Sequence, residues 1–355
     1  MTTKCRITGT SLLSVLVLAG LVVQPARAQS AAQMEKAVKE AFAKFQSLQE
    51  GKNADYIPAL AKVDPALFGI ALITADGKVF TAGDNTTEVS IQSISKVFTM
   101  AKVIDELGPA SIRDNMGVDA TGQVFNSIVA VEQFKGKEMN PLVNPGAIAA
   151  TSMVPGTSAD EVWRKILETH NAFAGRQLRV LQDVYKSEAD TNQRNQAIGA
   201  LMFAYGRIEK NWEQAVDLYT RQCSIGVTAK DLAMMAATLA NGGRNPLTGV
   251  QAIDAKHIPQ VLAVMATAGL YDDSGKWLYL TGLPAKSGVG GGIIAVVPGK
   301  FGIAVVSPPL DEAGNSVRAQ RAIADIAAQL GANPYASLPR PVTAAKGSPA
   351  VHEKR

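Results

Sequence analysis

Ser93 and Lys96 are the first residues in this 355-residue sequence whose types and spacing could carry out chemistry. Three positions apart on one helical turn, the serine hydroxyl and the lysine amine would lie on the same face. A Ser-x-x-Lys spacing is common by chance, and a surface helical turn would also explain it. The pair is followed by Val97-Phe98-Thr99-Met100 and no acid occurs in residues 90–100, so Lys96 would begin a mostly apolar helix. Burial there would lower the pKa of Lys96, and its neutral amine could take the proton of a nucleophilic serine.

A second candidate segment, Lys286-Ser287-Gly288-Val289-Gly290-Gly291-Gly292, stands directly before an apolar run. One interpretation is a glycine-rich turn that enters a strand. The other is that the glycines let the main chain approach a ligand, so that an N–H group near Val289 could stabilise an oxyanion. The segment is not a phosphate loop, because no Gly-Lys-Ser/Thr sequence opens a helix here.

Several polar and aromatic residues could line a site around this pair, although each has an ordinary structural explanation. Asn-Pro sequences usually mark turns, but the two prolines that flank Asn144 could also fix the direction of its amide. A glutamate on a helix, such as Glu188, is normally a solvated charge. Single tyrosines are more often core or surface aromatics than acids or bases. The residues with this ambiguity are Asn144, Glu188, Asn195, Tyr56, Tyr219 and Tyr271.

Strand patterns occur near both ends of the chain. Two pairs of apolar runs are each interrupted by a short turn sequence, Asp76-Gly77 in the first pair and Pro298-Gly299-Lys300 in the second. Each pair therefore predicts a β-hairpin. The runs cover residues 68–74, 79–82, 292–297 and 301–307. This arrangement predicts one antiparallel sheet that is built from both ends of the chain.

Helical patterns fill most of the remaining chain. Apolar residues recur at intervals of three and four, with breaks at Gly-Pro, Pro-Gly and Gly-Gly pairs. The helical segments are residues 32–50, 97–107, 159–170, 192–206, 211–221, 228–240, 255–268 and 315–330. The chain between the two hairpins is predicted to be helical throughout. The predicted fold class is α+β, an antiparallel sheet flanked by helices with a helical lobe inserted.

This organisation predicts one domain of two lobes over residues 29–338. A sheet lobe of about residues 29–95 and 275–338 would pack against a helical lobe of about residues 96–274. A cleft between such lobes is the usual place for a site. Residues 339–355 mix proline, glycine, serine and charge without periodicity, which predicts a disordered tail.

The first 28 residues have the pattern of a cleaved export signal. Basic Lys4 and Arg6 precede an apolar run at residues 12–23, and Ala26-Arg27-Ala28 is a small-x-small sequence of the kind that signal peptidases cut. The run is shorter than the roughly 20 residues that span a bilayer as a helix. We therefore expect a periplasmic or secreted chain that starts near Gln29; an uncleaved N-terminal anchor is the alternative.

The composition argues against several classes of partner. Without residues 1–28, which hold three basic residues and no acidic one, the net charge falls from +4 to +1. No basic face for nucleic acid and no membrane contact are then expected. No metal site is expected, because the chain has only three histidines and, after cleavage, one cysteine, Cys223. A single cysteine cannot form an intramolecular disulfide. The 47% apolar composition is sufficient for a large core.

The order and spacing of these segments resemble those of the serine-dependent glutaminase family. The resemblance extends from about residue 51 to residue 323. The matching segments are Asp55-Tyr56-Ile57-Pro58-x-Leu60-Ala61, Ser90-Ile91-Gln92-Ser93-Ile94-Ser95-Lys96, Asn140-Pro141-x-x-Asn144-x-Gly146-Ala147, Ser187-Glu188 with Arg194-Asn195-x-Ala197, Tyr219-x-x-Gln222-Cys223-Ser224, Lys286-Ser287-Gly288-Val289-x-Gly291-Gly292, and Ser307-Pro308-Pro309-Leu310-Asp311 with Gly314-Asn315-Ser316. Pro145 and the glycines after Val289 depart from the family's usual forms.

The resemblance implies the fold of the penicillin-recognising serine hydrolases and the hydrolysis of L-glutamine to L-glutamate and ammonia. It implies a nucleophile at Ser93, its base at Lys96, and Tyr56 and Tyr271 as rival proton-transfer residues. It also implies a homo-oligomer, either a dimer or a tetramer, and no cofactor is expected. The substrate contacts would be Ser93, Asn144, Glu188, Asn195, Tyr219, Tyr271 and the main chain of Val289.

Two other functions fit parts of the pattern. Penicillin-binding proteins and β-lactamases share Ser-x-x-Lys and a Lys-Ser/Thr-Gly strand, but the Ser-Asp-Asn motif of their helical lobe does not occur in this sequence. A periplasmic amino-acid binding protein could have kept the pocket and lost the chemistry. The presence of Ser93, Lys96 and both tyrosines argues against that alternative.

Overall fold

The computed structural model describes residues 29–137, 139–209 and 211–336. The predicted export signal at residues 1–28 and the predicted tail at residues 339–355 lie outside the described residues. Within those residues, no helix has both the length and the apolar character that crossing a membrane requires.

The described residues form seven strands. They are β1 (Gly69–Thr74), β2 (Val79–Gly83), β3 (Val89–Ser90), β4 (Gly226–Val227), β5 (Ala285–Gly288), β6 (Gly292–Val297) and β7 (Phe301–Val306). Five of them form an antiparallel sheet of order β2-β1-β7-β6-β5, and β3 pairs separately with β4. Leu72 of β1 lies between Phe80 of β2 and Ile303 of β7 in this register. The first and second hairpins therefore meet at the centre of the sheet.

Fourteen helices accompany these strands in the described part of the chain. They are α1 (Ala31–Phe45), α2 (Pro58–Ala61), α3 (Ser95–Leu107), α4 (Ala110–Met116), α5 (Ile128–Phe134), α6 (Asn144–Met153), α7 (Ala159–Ala174), α8 (Gln182–Asp190), α9 (Gln193–Ala204), α10 (Trp212–Cys223), α11 (Ala229–Ala240), α12 (Ile258–Ala268), α13 (Ser274–Thr281) and α14 (Val317–Gln329). Short 3-10 turns occur at Gln92–Ile94, Ala255–His257 and Tyr271–Asp273.

Helices cover both faces of the sheet. Successive side chains of a strand point to opposite faces, and in β1 the side chains of Ile70 and Leu72 pack with α1 and α14. Ala71 and Ile73 face the opposite core, which includes α11 and the helices around the site. Every residue of β1, β6 and β7 is buried, because both faces of these strands are covered.

Helix α11 connects the sheet to the helical region. It begins with a capping box in which Thr228 Oγ1 accepts from Asp231 N at 3.1 Å and Asp231 Oδ2 accepts from Thr228 N at 2.8 Å. All of its residues except Lys230 are buried, and it packs against β1, β6 and β7. Helix α11, which belongs to the predicted helical lobe, therefore covers one face of the sheet. The division of the domain into lobes at residues 95 and 274 stays a prediction.

The α+β class, the sheet built from both chain ends and both hairpins are confirmed. The turn of the first hairpin contains Gly77 at φ +86°, in the left-handed region that favours glycine. The long helices begin and end within a few residues of the expected positions. These elements have strong apolar periodicity, so their local pattern and their tertiary packing agree.

Several elements differ from the sequence expectations. The first helix ends at Phe45 rather than at residue 50, because residues 46–50 offer only Leu48 as a large apolar side chain. Lys286 and Ser287 are not in a turn before a strand but within strand β5, which pairs with β6. The chain between the hairpins is therefore not helical throughout. Short helices such as α4 and α13 carry too few turns to show a periodic pattern.

The close packing of α11 on strand β7 generates a stability prediction. A Cβ atom at Gly302 would overlap the main chain of Ala236 and Ala237, whereas a Cβ atom at Gly275 in α13 would meet no atom within 4 Å. We expect Gly302→Ala to lower the free energy of unfolding by at least about 2 kcal/mol. Gly275→Ala should raise it by up to about 1 kcal/mol. Urea unfolding of both variants tests this, and equal effects would contradict the packing.

Candidate active site

Ser93 lies in a tight turn at the start of helix α3. The 3-10 turn Gln92–Ile94 leads directly into the helix. Gln92 has φ +49°, which a residue other than glycine rarely adopts. The Ser95 hydroxyl donates to the Gln92 carbonyl at 2.7 Å and stabilises the turn. Both Ser93 and Lys96 are buried, so a surface helical turn does not describe this pair.

Lys96 is a buried lysine with neutral polar neighbours. It is 1% exposed, and its Nζ lies 2.9 Å from Ser93 Oγ and 2.7 Å from Asn144 Oδ1. Burial lowers the pKa of Lys96 to about 8, against the smaller opposing influence of Cys223 and Glu188. A neutral amine can donate one N–H to Asn144 and accept the O–H of Ser93. This is the arrangement that a general base requires.

Asn144 orients the lysine from the first turn of helix α6. Its Oδ1 accepts from Lys96 and also from the hydroxyl of Tyr219, at 3.1 Å. Its Nδ2 donates to Asn195 Oδ1 at 2.9 Å. Pro145 stands at the second position of α6, where the missing N–H costs no hydrogen bond. The amide of Asn144 is thus fixed by partners on both sides, and it joins residues of helices α3, α6, α9 and α10.

Glu188 is buried, in contrast to the solvated helix charge that is usual for a glutamate. It is 6% exposed on α8, and Gln92 Nε2 donates to its Oε2 at 3.1 Å. Burial raises the pKa of Glu188 to about 7, although Gln92 and Lys96 act in the opposite direction. Glu188 is therefore the one ionisable carboxylate among the described residues that line the cavity. The neighbouring Ser187 hydroxyl accepts from Ala59 N at 3.1 Å and connects α8 to α2.

The glycine-rich turn after β5 lies against the segment that carries Ser93. A Cβ atom at Gly290 would stand 2.5 Å from the Ser90 carbonyl oxygen, and one at Gly288 would stand 2.8 Å from that of Ile91. Glycine is therefore required for this approach. No acceptor among the described residues takes the main-chain N–H of Ser93 or Val289. Both groups are available to a ligand oxygen in the cavity that these residues line.

The two candidate tyrosines occupy different positions. Tyr271 is buried, has φ +55°, and donates its hydroxyl to the Ser287 carbonyl at 3.2 Å. Burial raises the pKa of Tyr271, and hydrogen bonding with the Ser93 hydroxyl acts against that increase. Tyr56 is 53% exposed and lies at the mouth of the cavity. Tyr271 thus lies in the core with Val289, whereas Tyr56 covers the site from the solvent side.

The residues singled out from the sequence surround one cavity of about 270 Å³. The exceptions are Lys96, whose Nζ contacts Ser93 Oγ from within the core, and Tyr271, which packs with Val289. Sequence reasoning did not assign the cavity positions of Gln92, Phe125 or Arg194, which also line it. Only the place of Gln92 directly before Ser93 could have indicated such a role. The described residues contain no group of three His, Cys, Asp or Glu side chains arranged to hold a metal ion.

The sheet order, its helical layers and the relatives described below define the class, which is a hydrolase with a β-lactamase-like fold. Residues 51–335 match the family model for glutaminases. The chain therefore belongs to the glutaminase family.

Relatives of known name and solved structures support this assignment over most of the chain. The glutaminase of Colwellia psychrerythraea is 53% identical over 300 residues, which covers 84% of this chain and 96% of that protein. The glutaminase of Brucella canis is 54% identical over 285 residues, 80% of this chain and 90% of that protein.

Two solved structures share the fold. A probable glutaminase has a TM-score of 0.86 at 46% identity and covers 87% of this chain and all 100% of its own. The glutaminase of Bacillus subtilis has a TM-score of 0.76 at 30% identity, over 86% of this chain and 99% of that one. That protein was solved as a covalent complex with 5-oxo-L-norleucine, formed by its reaction with 6-diazo-5-oxo-L-norleucine.

The buried carboxyl of Glu188 generates a prediction about pH and stability. Because its pKa of about 7 in the folded protein exceeds the ordinary value of 4.5, the stabilisation from its protonation is complete below pH 4.5 and is lost as the pH rises through 7. Without ligand, Glu188→Gln should therefore gain about 1–3 kcal/mol over the unsubstituted protein between pH 5 and pH 8. Urea unfolding at both pH values measures this gain.

The exposed Glu312 provides the matched control, and Glu312→Gln should gain no stability over the unsubstituted protein between pH 5 and pH 8. If the stability curves of the unsubstituted protein and Glu188→Gln run parallel from pH 5 to pH 8, Glu188 is not the buried ionisable group inferred here.

Proposed function

We propose that this glutaminase hydrolyses the side-chain amide of L-glutamine through an acyl-enzyme on Ser93. The observation that carries the proposal is the 2.9 Å contact between Ser93 Oγ and the buried Nζ of Lys96. A lysine whose pKa is lowered to about 8 is partly neutral near neutral pH and can act as a base. The covalent complex of the Bacillus subtilis relative is consistent with a nucleophile in this site.

Acylation begins with attack of Ser93 Oγ on the side-chain amide carbon of glutamine. The hydroxyl proton passes to Lys96 Nζ as the oxygen–carbon bond forms. The main-chain N–H groups of Ser93 and Val289 donate to the oxyanion that develops at the former carbonyl oxygen. Because these groups are fixed by the turn before α3 and the glycine turn after β5, they need no rearrangement when the charge appears.

Collapse of the tetrahedral intermediate breaks the carbon–nitrogen bond, and the leaving nitrogen takes a proton to depart as ammonia. Lys96 holds the proton taken from Ser93, and Tyr271 is the better placed of the two tyrosines to relay it, because it is buried with Val289 whereas Tyr56 is half exposed. Water then attacks the γ-glutamyl ester, gives its proton to the same base, and releases L-glutamate with the regenerated Ser93 hydroxyl. Tyr56 would shield the ester from the solvent side.

Recognition of glutamine follows from the charges in the cavity. Glu188 is the buried carboxylate that can pair with the α-ammonium group of the substrate. Asn144, Asn195 and Tyr219 present amide and hydroxyl groups that can bind its α-carboxylate. An ammonium group beside Glu188 would return the pKa of that carboxyl toward its ordinary range, so substrate relieves the buried charge. No cofactor takes part in this scheme.

Export and assembly are two further parts of the proposal. The pattern of residues 1–28 supports cleavage near Gln29 and release into the periplasm or medium, and N-terminal sequencing of the exported chain tests it. The resemblance to the family supports a homo-oligomer, which light scattering on the purified protein tests. The near-neutral mature chain supports neither nucleic acid nor membrane as a partner.

Substitution of the reacting pair is the direct test of the function. Ser93→Ala and Lys96→Met should each reduce ammonia release from L-glutamine by at least about 10³-fold. Both variants should melt cooperatively, because an apolar side chain of similar volume can replace a buried amine. Lys102→Met is the matched control, since Lys102 lies on the same helix and pairs with Glu106 at 2.9 Å. It should retain activity within about twofold.

The same preparations separate the competing functions. Retained activity in Ser93→Ala would sink the mechanism. Turnover of nitrocefin by the unsubstituted protein without ammonia release would favour a β-lactamase, and glutamine binding without release of ammonia would favour a binding protein. Comparing L-glutamine, L-asparagine and D-glutamine as substrates defines the specificity of the site.

A further inference from the structure

Lys286 is a second buried lysine in the site, and the reaction described above does not use it. It lies on the edge strand β5, opposite Ile294, and is 0% exposed. Its Nζ donates to two main-chain carbonyls, Gly269 at 3.0 Å and Ser287 at 2.7 Å. Within the described residues, no carboxylate forms an ion pair with it. Burying an amine without a carboxylate partner costs free energy of folding. A role in positioning neighbouring groups would explain why the amine is buried here.

The contacts of Lys286 converge on the turn that carries Tyr271. Gly269 directly follows the last residue of α12 and lies two residues before Tyr271. Tyr271 has φ +55°, a strained conformation that persists only where its surroundings enforce it. Ser274 supplies part of that support, because its hydroxyl donates to the Tyr271 carbonyl at 2.7 Å and accepts from Leu270 N at 2.9 Å.

Lys286 supplies support from the opposite side. Its Nζ lies 4.2 Å from the centre of the Tyr271 ring, within the range of a cation–π contact. The Ser287 carbonyl that accepts from Lys286 at 2.7 Å also accepts the Tyr271 hydroxyl at 3.2 Å. One amine therefore contacts both the face of the ring and the acceptor of its hydroxyl. That acceptor lies on strand β5, which ends one residue before Val289.

We propose that Lys286 is a positioning residue for the hydrolysis of glutamine, which holds the hydroxyl of Tyr271 at the Ser287 carbonyl and ties that tyrosine to the strand leading to Val289. This inference rests on the proposed function of the Ser93 and Lys96 pair. In this proposal Lys286 does not contact the substrate. Lys286 acts on the reaction through Tyr271, and its loss should leave the binding of glutamine nearly unchanged.

The hydrogen bonds of Lys286 do not require its charge. Burial lowers the pKa of Lys286 well below its ordinary value, and the like charge of Lys96 lowers it further. A neutral amine still has two N–H groups for the Gly269 and Ser287 carbonyls. Lys286 is not among the groups that shift the pKa of Lys96, so its role is tested through the position of Tyr271 and not through the pH profile.

The experiment compares Lys286→Met with Lys300→Met, which changes an exposed lysine of the turn between β6 and β7. We expect Lys286→Met to lower kcat for L-glutamine by at least about tenfold and to change KM by less than about threefold. Lys300→Met should change neither. Lys286→Gln, which keeps N–H donors without the amine, should recover part of kcat and provides a second folded variant.

A double-mutant cycle with Tyr271→Phe shows whether Lys286 acts through the tyrosine. In the Tyr271→Phe background, the effect of Lys286→Met on kcat should shrink to less than about threefold, since the hydroxyl to be positioned is gone. Effects that multiply in full would overturn the proposal, as would an unchanged kcat or a loss confined to KM. Failure of both the Met and Gln variants to fold would assign Lys286 to the core and overturn it as well.

Failure of the proposed function and failure of the inference about Lys286 give different results. An unsubstituted protein that releases no ammonia from glutamine would refute the proposed function. An active unsubstituted protein with an equally active Lys286→Met variant would refute only the inference about Lys286.

Discussion

The burial of the Lys96 amine beside an amide oxygen and a hydroxyl, rather than beside a carboxylate, is the constraint on which the site depends. A carboxylate in contact would hold the lysine protonated and unable to accept the Ser93 proton. Asn144 must therefore present its oxygen to Lys96, and Tyr219 and Asn195 fix that orientation. The one buried carboxylate of the cavity, Glu188, is held by Gln92 instead. The buried amine thus has no carboxylate in contact with it, and burial lowers its pKa to about 8.

This constraint extends to the sheet through close main-chain contacts. The turn after β5 must reach the segment before α3, and Gly288 and Gly290 permit an approach that any side chain would block. Strand β5 is in turn fixed by its pairing with β6 and by the contacts of Lys286 with the Tyr271 turn. Packing of α11 against β7 holds the sheet and the helical region in one position. The geometry of the reacting atoms is thus set by the backbone.

The sequence predicted those parts of the structure in which local pattern and burial agree. The hairpins, the long helices and the burial of Lys96 follow from apolar runs, and motif order located most of the site. The burial of Glu188 could not be predicted, because α8 is polar by composition and is covered only through its packing with α2 and α10. Strand β5 is too short to show a period. The strained φ of Gln92 and Tyr271 results from tertiary contacts that no local pattern encodes.

The order of strands in the sheet also has a consequence for biosynthesis. Strand β1 can pair with β7 only after more than two hundred intervening residues have been made, and α1 packs against α14 near the other end of the chain. A nascent chain therefore cannot complete its central sheet until synthesis is almost finished, and contacts of such sequence separation form slowly. The emerging polypeptide therefore lacks its complete sheet for most of that time. Folding and the assembly of the Val289 turn beside Ser93 then occur together, as one late event.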